Sequence, residues 1–149
     1  MGRILTSISI RRPIEQVFDF VTTPANWPKW HPSSLSVSGA TDHSLKAGEE
    51  VTEEFLVAGR RGRVVWKVRE RTHPKRWVIE GRTEKGGGGR ITYALTPVSG
   101  GTNFEREFVY TMPNIFMEAL DWLLFRRRIE AESAEALQRL KEVLERPGK

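Results

Sequence analysis

The sequence predicts an α+β fold, a curved antiparallel sheet of about seven strands wrapped round a long C-terminal helix, with two short helices after the first strand. Three observations carry that prediction. Between residues 34 and 111 apolar side chains alternate with polar ones in short runs, the period of half-buried strands. After Pro113 the apolar spacing becomes helical and stays so up to Pro147 and Gly148, which stop a helix. Ahead of both, an alternating stretch runs into Pro13 and a short amphipathic segment.

In order, residues 3–11, RILTSISIR, place Ile4, Thr6, Ile8 and Ile10 on one parity and form the first strand. Pro13 suits a first helical position, where its missing N–H is not needed. PIEQVFDFV continues with Ile14, Val17, Phe18 and Val21 at helical spacing. TTPANWPKWHPSS (22–34) follows. Pro24 starts a turn capped by Thr22 or Thr23, Pro28 disfavours helix at Trp27, and Pro32 restrains His31 to extended backbone. Two broken turns are expected here, with Trp30 as a packed corner and Trp27 and His31 at a rim.

Strands are expected at 35–41, 50–58, 63–71, 76–84, 90–97 and 102–111, joined by turn-rich links that include GRRG, THPK, KGGGG and VSGG. Successive hairpins make an antiparallel meander. The glycines at 86–89 are followed by neither Gly-Lys-Ser/Thr nor a helix, which argues against a phosphate cradle. The closing helix carries Ile115, Phe116, Ala119, Leu120, Leu123 and Leu124 in its first half and Ala134, Leu137, Leu140 and Leu144 in its second. One long amphipathic helix covers the concave face of such a sheet and leaves a space between them.

Composition narrows the function. A chain of 149 residues is the size of one domain, and residues 1–149 are read as one. Cysteine is absent, which removes disulfides, thiolate metal sites and cysteine nucleophiles. No apolar run is long enough to cross a membrane and the N-terminus has no leader pattern, so a cytoplasmic location is expected. The net charge is +5, but 24 basic residues are interleaved with 19 acidic ones. That pattern suits a solvated surface and argues against nucleic acid as a partner. The clusters Arg60, Arg61, Arg63 and Arg126 to Arg128 are read as ordinary surface.

The stretch PIEQVFDFVTTPANWPKW with its following His-Pro (residues 13–32), the Gly-Gly-Thr of GGTNFEREFVYTMP, and the basic middle of FRRRIEAESAEAL occur in a specific order. In that order they resemble the START-like helix-grip superfamily (SRPBCC), closest to its polyketide cyclase/dehydrase and lipid-transport branch. The resemblance implies a deep, largely apolar cavity between sheet and helix holding a lipid, polyketide or aromatic-type molecule, as carrier or sensor. Members of the superfamily also include cofactor-free cyclases and dehydratases, so that enzyme class is the alternative. Fold analogy does not choose between them.

Strand parity supplies candidate residues. In the last strand Thr102, Phe104, Arg106, Phe108 and Tyr110 share the aromatic face, which is expected to point inward. Trp66, Trp77, Tyr93 and Phe55 point inward by the same rule, and Phe116 and Leu120 of the closing helix face them. Phe55, Trp66, Trp77, Tyr93, Phe104, Arg106, Phe108, Tyr110, Phe116 and Leu120 are the expected ligand contacts. A guanidinium at Arg106 among aromatics is costly unless paired. It either pairs structurally with an inward acid such as Glu53 or anchors an anion. Glu70 follows Val68 on an inward parity as well. Candidates for proton transfer are Glu53, Arg106 and His31, with Tyr93 able to supply a further polar group. His31, His43 and His73 lie at no ligand spacing, and no Gly-x-Ser-x-Gly occurs, so neither a metal nor a triad is expected, and no cofactor. Phe116, Met117, Trp122 and Phe125 exceed one buried stripe; beside Arg126 to Arg128 they admit a membrane contact without requiring one. The oligomeric expectation is monomer or homodimer.

Overall fold

The computed structural model describes residues 2–57, 59–84, 86–111 and 119–146, without the side chains of residues 119–122. Strand β1 (Gly2–Ile10) leads into helix α1 (Ile14–Val21), a 3-10 turn (Pro24–Asn26) and a one-turn helix α2 (Trp27–Trp30). Strands β2 (Ser34–Gly39), β3 (Glu50–Val57), β4 (Arg60–Thr72), β5 (Arg76–Thr83), β6 (Gly88–Val98) and β7 (Gly101–Thr111) follow, then the long helix α3 (Ala119–Glu145). All pairings are antiparallel, in the order β1-β7-β6-β5-β4-β3-β2. The expected curved sheet, long helix and paired short helices are all present.

The meander follows from alternation plus tight links, while β1 pairs with β7 because both carry apolar inward parities along the whole register from Gly2↔Tyr110 to Ile10↔Thr102. Helix α1 buries Val17, Phe18 and Val21 against one end of the sheet and stops where Thr22 turns both its N–H and its hydroxyl to the Phe18 carbonyl. At the far end of the chain α3 is pinned to β1. Lys141 Nζ donates to the Ser9 carbonyl at 2.8 Å, and the Arg11 N–H donates to Glu145 Oε2 at 2.8 Å.

Several expectations are corrected by local geometry. Trp27 is helical (φ −55°, ψ −47°) although Pro28 follows it. Pro28 lies in the first turn of α2, where a missing N–H costs little, and helix continuity overrides the pre-proline bias. His31 before Pro32 is extended as expected (φ −99°, ψ 117°). A bulge between Val68 and Glu70 reverses the parity of β4. Glu70 therefore leaves the inner face and pairs with Arg76 at 3.0 Å, while Arg71 turns in over the Phe18 ring. The GRRG link is shorter than expected. Gly59 (φ 82°) makes the turn and Arg60 already begins β4. On α3 the buried stripe is Ile129, Ser133, Ala136, Leu137, Leu140 and Leu144, with Ala134, Leu123 and Leu124 exposed.

Candidate functional site

A cavity of about 700 Å³ lies between the inner faces of β3 to β7 and the helices α2 and α3. Three inward glycines shape its wall. A Cβ at Gly81 would stand 2.5 Å from Trp66 Cε3, one at Gly89 2.8 Å from Phe108 Cε1, and one at Gly62 2.7 Å from Phe55 Cζ. Each ring therefore lies over a position with no side chain. The rings rest against the sheet instead of meeting in the centre, and space remains under α3.

Of the residues expected from parity, Phe55, Trp66, Tyr93, Arg106, Phe108 and Tyr110 line this cavity, as do Glu53 and His31. Trp77 and Phe104 are fully buried and support it from behind. Trp77 stacks on Tyr93 at 5.3 Å and donates its indole N–H to the Leu45 carbonyl, and Phe104 meets Tyr93 edge-on at 5.0 Å. Phe116 lies outside the described residues, and so does the side chain of Leu120. Met117 and the Trp122 side chain fall outside them as well.

Trp27 and Trp30 both reach the wall, so the division into one corner and one rim does not hold. The more firmly tied of the two is Trp27, whose Nε1 donates to the Val21 carbonyl at 2.9 Å; Trp30 is 1% exposed with Nε1 unpartnered. Sequence reasoning also missed Ile129, Glu132 and Ser133 on α3 and the arginines Arg60, Arg61 and Arg63 at the edge of the cavity. For the helix the available signal is the spacing of Ile129 and Ser133 with Leu137 and Leu140. The arginines give none, because the start of β4 has the composition of a link.

The polar groups gather on one part of the wall. Glu53 on β3 accepts a hydrogen bond at Oε1 from Trp66 Nε1 at 2.9 Å. Burial raises its carboxyl above the ordinary value, working against Ser34, Trp66 and the charge of Arg106. The Ser34 hydroxyl nonetheless completes no hydrogen bond of good geometry. Arg106 on β7 is 5% exposed, its guanidinium carbon 5.4 Å from the Phe108 ring centre and its Nε buried without a hydrogen-bond partner. No carboxylate among the described residues reaches salt-bridge distance of it. Burial pushes the Tyr93 hydroxyl up to about 12 while the nearby Arg106 pulls the other way.

His31 Nδ1 accepts the Ser33 N–H at 3.1 Å, so the neutral ring carries its proton on Nε2. Burial, then the charges of Arg106 and Arg139, hold its pKa well below the ordinary histidine value. Ser33 Oγ donates to Glu132 Oε1 at 3.0 Å and ties this wall to α3. The arrangement is a neutral imidazole, a hard-to-ionise carboxyl and a buried guanidinium facing apolar space. It can receive a hydrophobic molecule with one strong acceptor, and it can move a proton. Among the described residues no group of three or more His, Cys, Asp or Glu is placed to hold a metal ion.

The family model described as polyketide cyclase / dehydrase and lipid transport matches residues 1–145. No curated protein matches the chain. Solved structures share its fold. A protein from Thermus thermophilus superposes with a TM-score of 0.81 at 12% identity, covering 99% of this chain and 100% of that one. The Aha1 dimer from Colwellia psychrerythraea gives 0.68 at 21% identity with 100% of both chains covered. DynU16, from the dynemicin biosynthetic locus, gives 0.68 at 16% identity, covering 98% of this chain and 48% of that chain. At these identities the likeness is one of fold.

Proposed function

The chain belongs to the polyketide cyclase/dehydrase and lipid-transport family, matched over residues 1–145, and from that premise we propose that it binds one small hydrophobic molecule between sheet and α3, as a carrier or sensor. The observation that carries this reading is the cavity of about 700 Å³ walled by Phe55, Trp66, Tyr93, Phe108 and Tyr110, with Trp30 beneath α3. That volume lies within the range of small-molecule sites, and a few convergent polar groups in an apolar wall are their usual composition. Covering roughly 300 Å² of apolar ligand surface yields about 7 kcal/mol before the cost of immobilisation. Measurable binding follows without any reaction.

Three of the wall residues are tryptophans, so the test is direct. N-phenyl-1-naphthylamine is titrated while tryptophan emission is followed, and native mass spectrometry counts bound probe. Saturable quenching with one probe per chain supports the reading; the absence of saturable binding in both measurements defeats it.

A second reading is favoured by one specific observation, the raised carboxyl of Glu53 on β3 on the same wall as Arg106 of β7. A carboxyl that ionises reluctantly is suited to proton transfer, and a guanidinium stabilises an oxyanion or enolate. A cofactor-free dehydratase would use Glu53 to remove the α-proton of a β-hydroxy ketone, Arg106 to hold the enolate oxygen, and protonated Glu53 to release water. Enone absorbance formed faster by the wild type than by Glu53→Gln supports this chemistry. Equal rates leave the binding function alone.

A further inference from the structure

The guanidinium of Arg106 lies in the cavity wall, 5% exposed, with its Nε unsatisfied and no acid of the described residues at ion-pair distance. Buried cations in proteins are paired or hydrogen-bonded, because their lost hydration must be replaced. The groups around it do not replace it. Glu53 acts on it across a gap but spends Oε1 on Trp66; His31 is neutral; Tyr93 offers one hydroxyl; Phe108 offers only a ring face. Arginine presents a planar fork that matches a carboxylate with two parallel hydrogen bonds. On the same wall the aromatic rings over Gly62, Gly81 and Gly89 leave apolar space for a hydrophobic body.

We propose that Arg106 seats the carboxylate of the ligand, so that the molecule this cavity takes is a hydrophobic acid and not a neutral lipid. The proposal rests on the cavity being a ligand site, and it adds the chemical class of the ligand. It also assigns the polar wall a direction. The acid head lies between β7 and His31, and the apolar body extends along Trp66, Phe108 and Tyr110 towards the basic edge formed by Arg60 and Arg61. Glu53, an acid on the same wall that feels the charge of Arg106, opposes a carboxylate there when ionised and limits the preference.

The test uses two probes of one shape, naphthalene-2-carboxylate and naphthalene-2-methanol, titrated calorimetrically at pH 7.5 against wild type, Arg106→Gln and Arg106→Lys. The expected result on the wild type is at least tenfold tighter binding of the acid. Arg106→Gln abolishes that preference, and Arg106→Lys retains part of it because charge persists without the planar fork. Equal wild-type affinities for the two probes overturn the assignment while leaving the cavity function standing. Binding of neither probe also overturns the assignment, and the cavity function is then decided separately by the N-phenyl-1-naphthylamine titration. The wild-type comparison needs no variant, so a folding defect in Arg106→Gln does not blunt it.

Discussion

The indole N–H of Trp66 reaches diagonally across the β3–β4 ladder to the Glu53 carboxyl at 2.9 Å, and this bond helps hold an acid among the aromatic side chains of the cavity wall. Burial outweighs it, so the folded chain keeps the Glu53 proton to higher pH than the unfolded chain does. Stability attached to this group is full below the unfolded value near 4.5 and is lost as pH rises through the folded value. Glu53→Gln copies the protonated form. It is expected to be more stable than wild type at pH 7.5 by on the order of 1 kcal/mol, the scale of one desolvated polar group. The gain should vanish near the unfolded value, which urea melts across that range read directly.

His31 has the opposite sign. Its folded pKa lies well below 6.5 through burial and the charges of Arg106 and Arg139, so its contribution is full above 6.5 and falls as acid protonates the unfolded chain first. His31→Gln, whose side-chain oxygen can still accept the Ser33 N–H, should resist acid better than wild type between pH 6.5 and 5. It should match wild type at pH 8 to within about 0.5 kcal/mol. A variant that tracks the wild-type melting temperature throughout the acid limb would refute the assignment.

Trp27 and Trp30 separate by their nitrogens. Trp27→Phe leaves the Val21 carbonyl without its 2.9 Å donor, whereas Trp30→Phe removes an N–H that had no partner. Both lose ring volume from a buried site. The difference is the hydrogen bond, so Trp27→Phe should be the more destabilised by about 1–2 kcal/mol. Chemical denaturation of the two proteins side by side measures it, and equal losses would show that volume alone governs.

The inward set of β7, from Thr102 through Arg106 to Tyr110, is legible because its alternation is unbroken for the whole strand. Glu70 is not, because one extra residue at the Val68 bulge inverts parity and no local sequence signal marks it. Leu45 carries no period at all. It is fully buried because the loop between β2 and β3 folds back to Thr22, with the Leu45 N–H on the Thr22 carbonyl and its own carbonyl taking Trp77. Trp27 departs from its local signal for a related reason, since a single turn of helix is fixed by its neighbours more than by the proline after it. Alternation therefore locates the cavity wall, while the groups that close its ends depend on contacts distant in sequence.

One tight demand on the sequence at this wall is the pairing of Trp66 with Gly81. A methyl group on Gly81 would stand 2.5 Å from Trp66 Cε3 and 2.6 Å from Val64 Cγ2, both on a strand locked in the sheet. The backbone cannot yield, so the indole must swing into the cavity and release Glu53. Gly81→Ala is expected to lose about 1–3 kcal/mol, as overpacked sites do, and to weaken naphthalene-2-methanol binding because the ring occupies the ligand's place. Gly100→Ala is the control. It strains a backbone with φ 79° yet meets nothing within 4 Å, so it should cost about 1 kcal/mol with binding intact. If Gly81→Ala binds the probe as wild type does, the ring has found room elsewhere and the glycine does not set the size of the cavity.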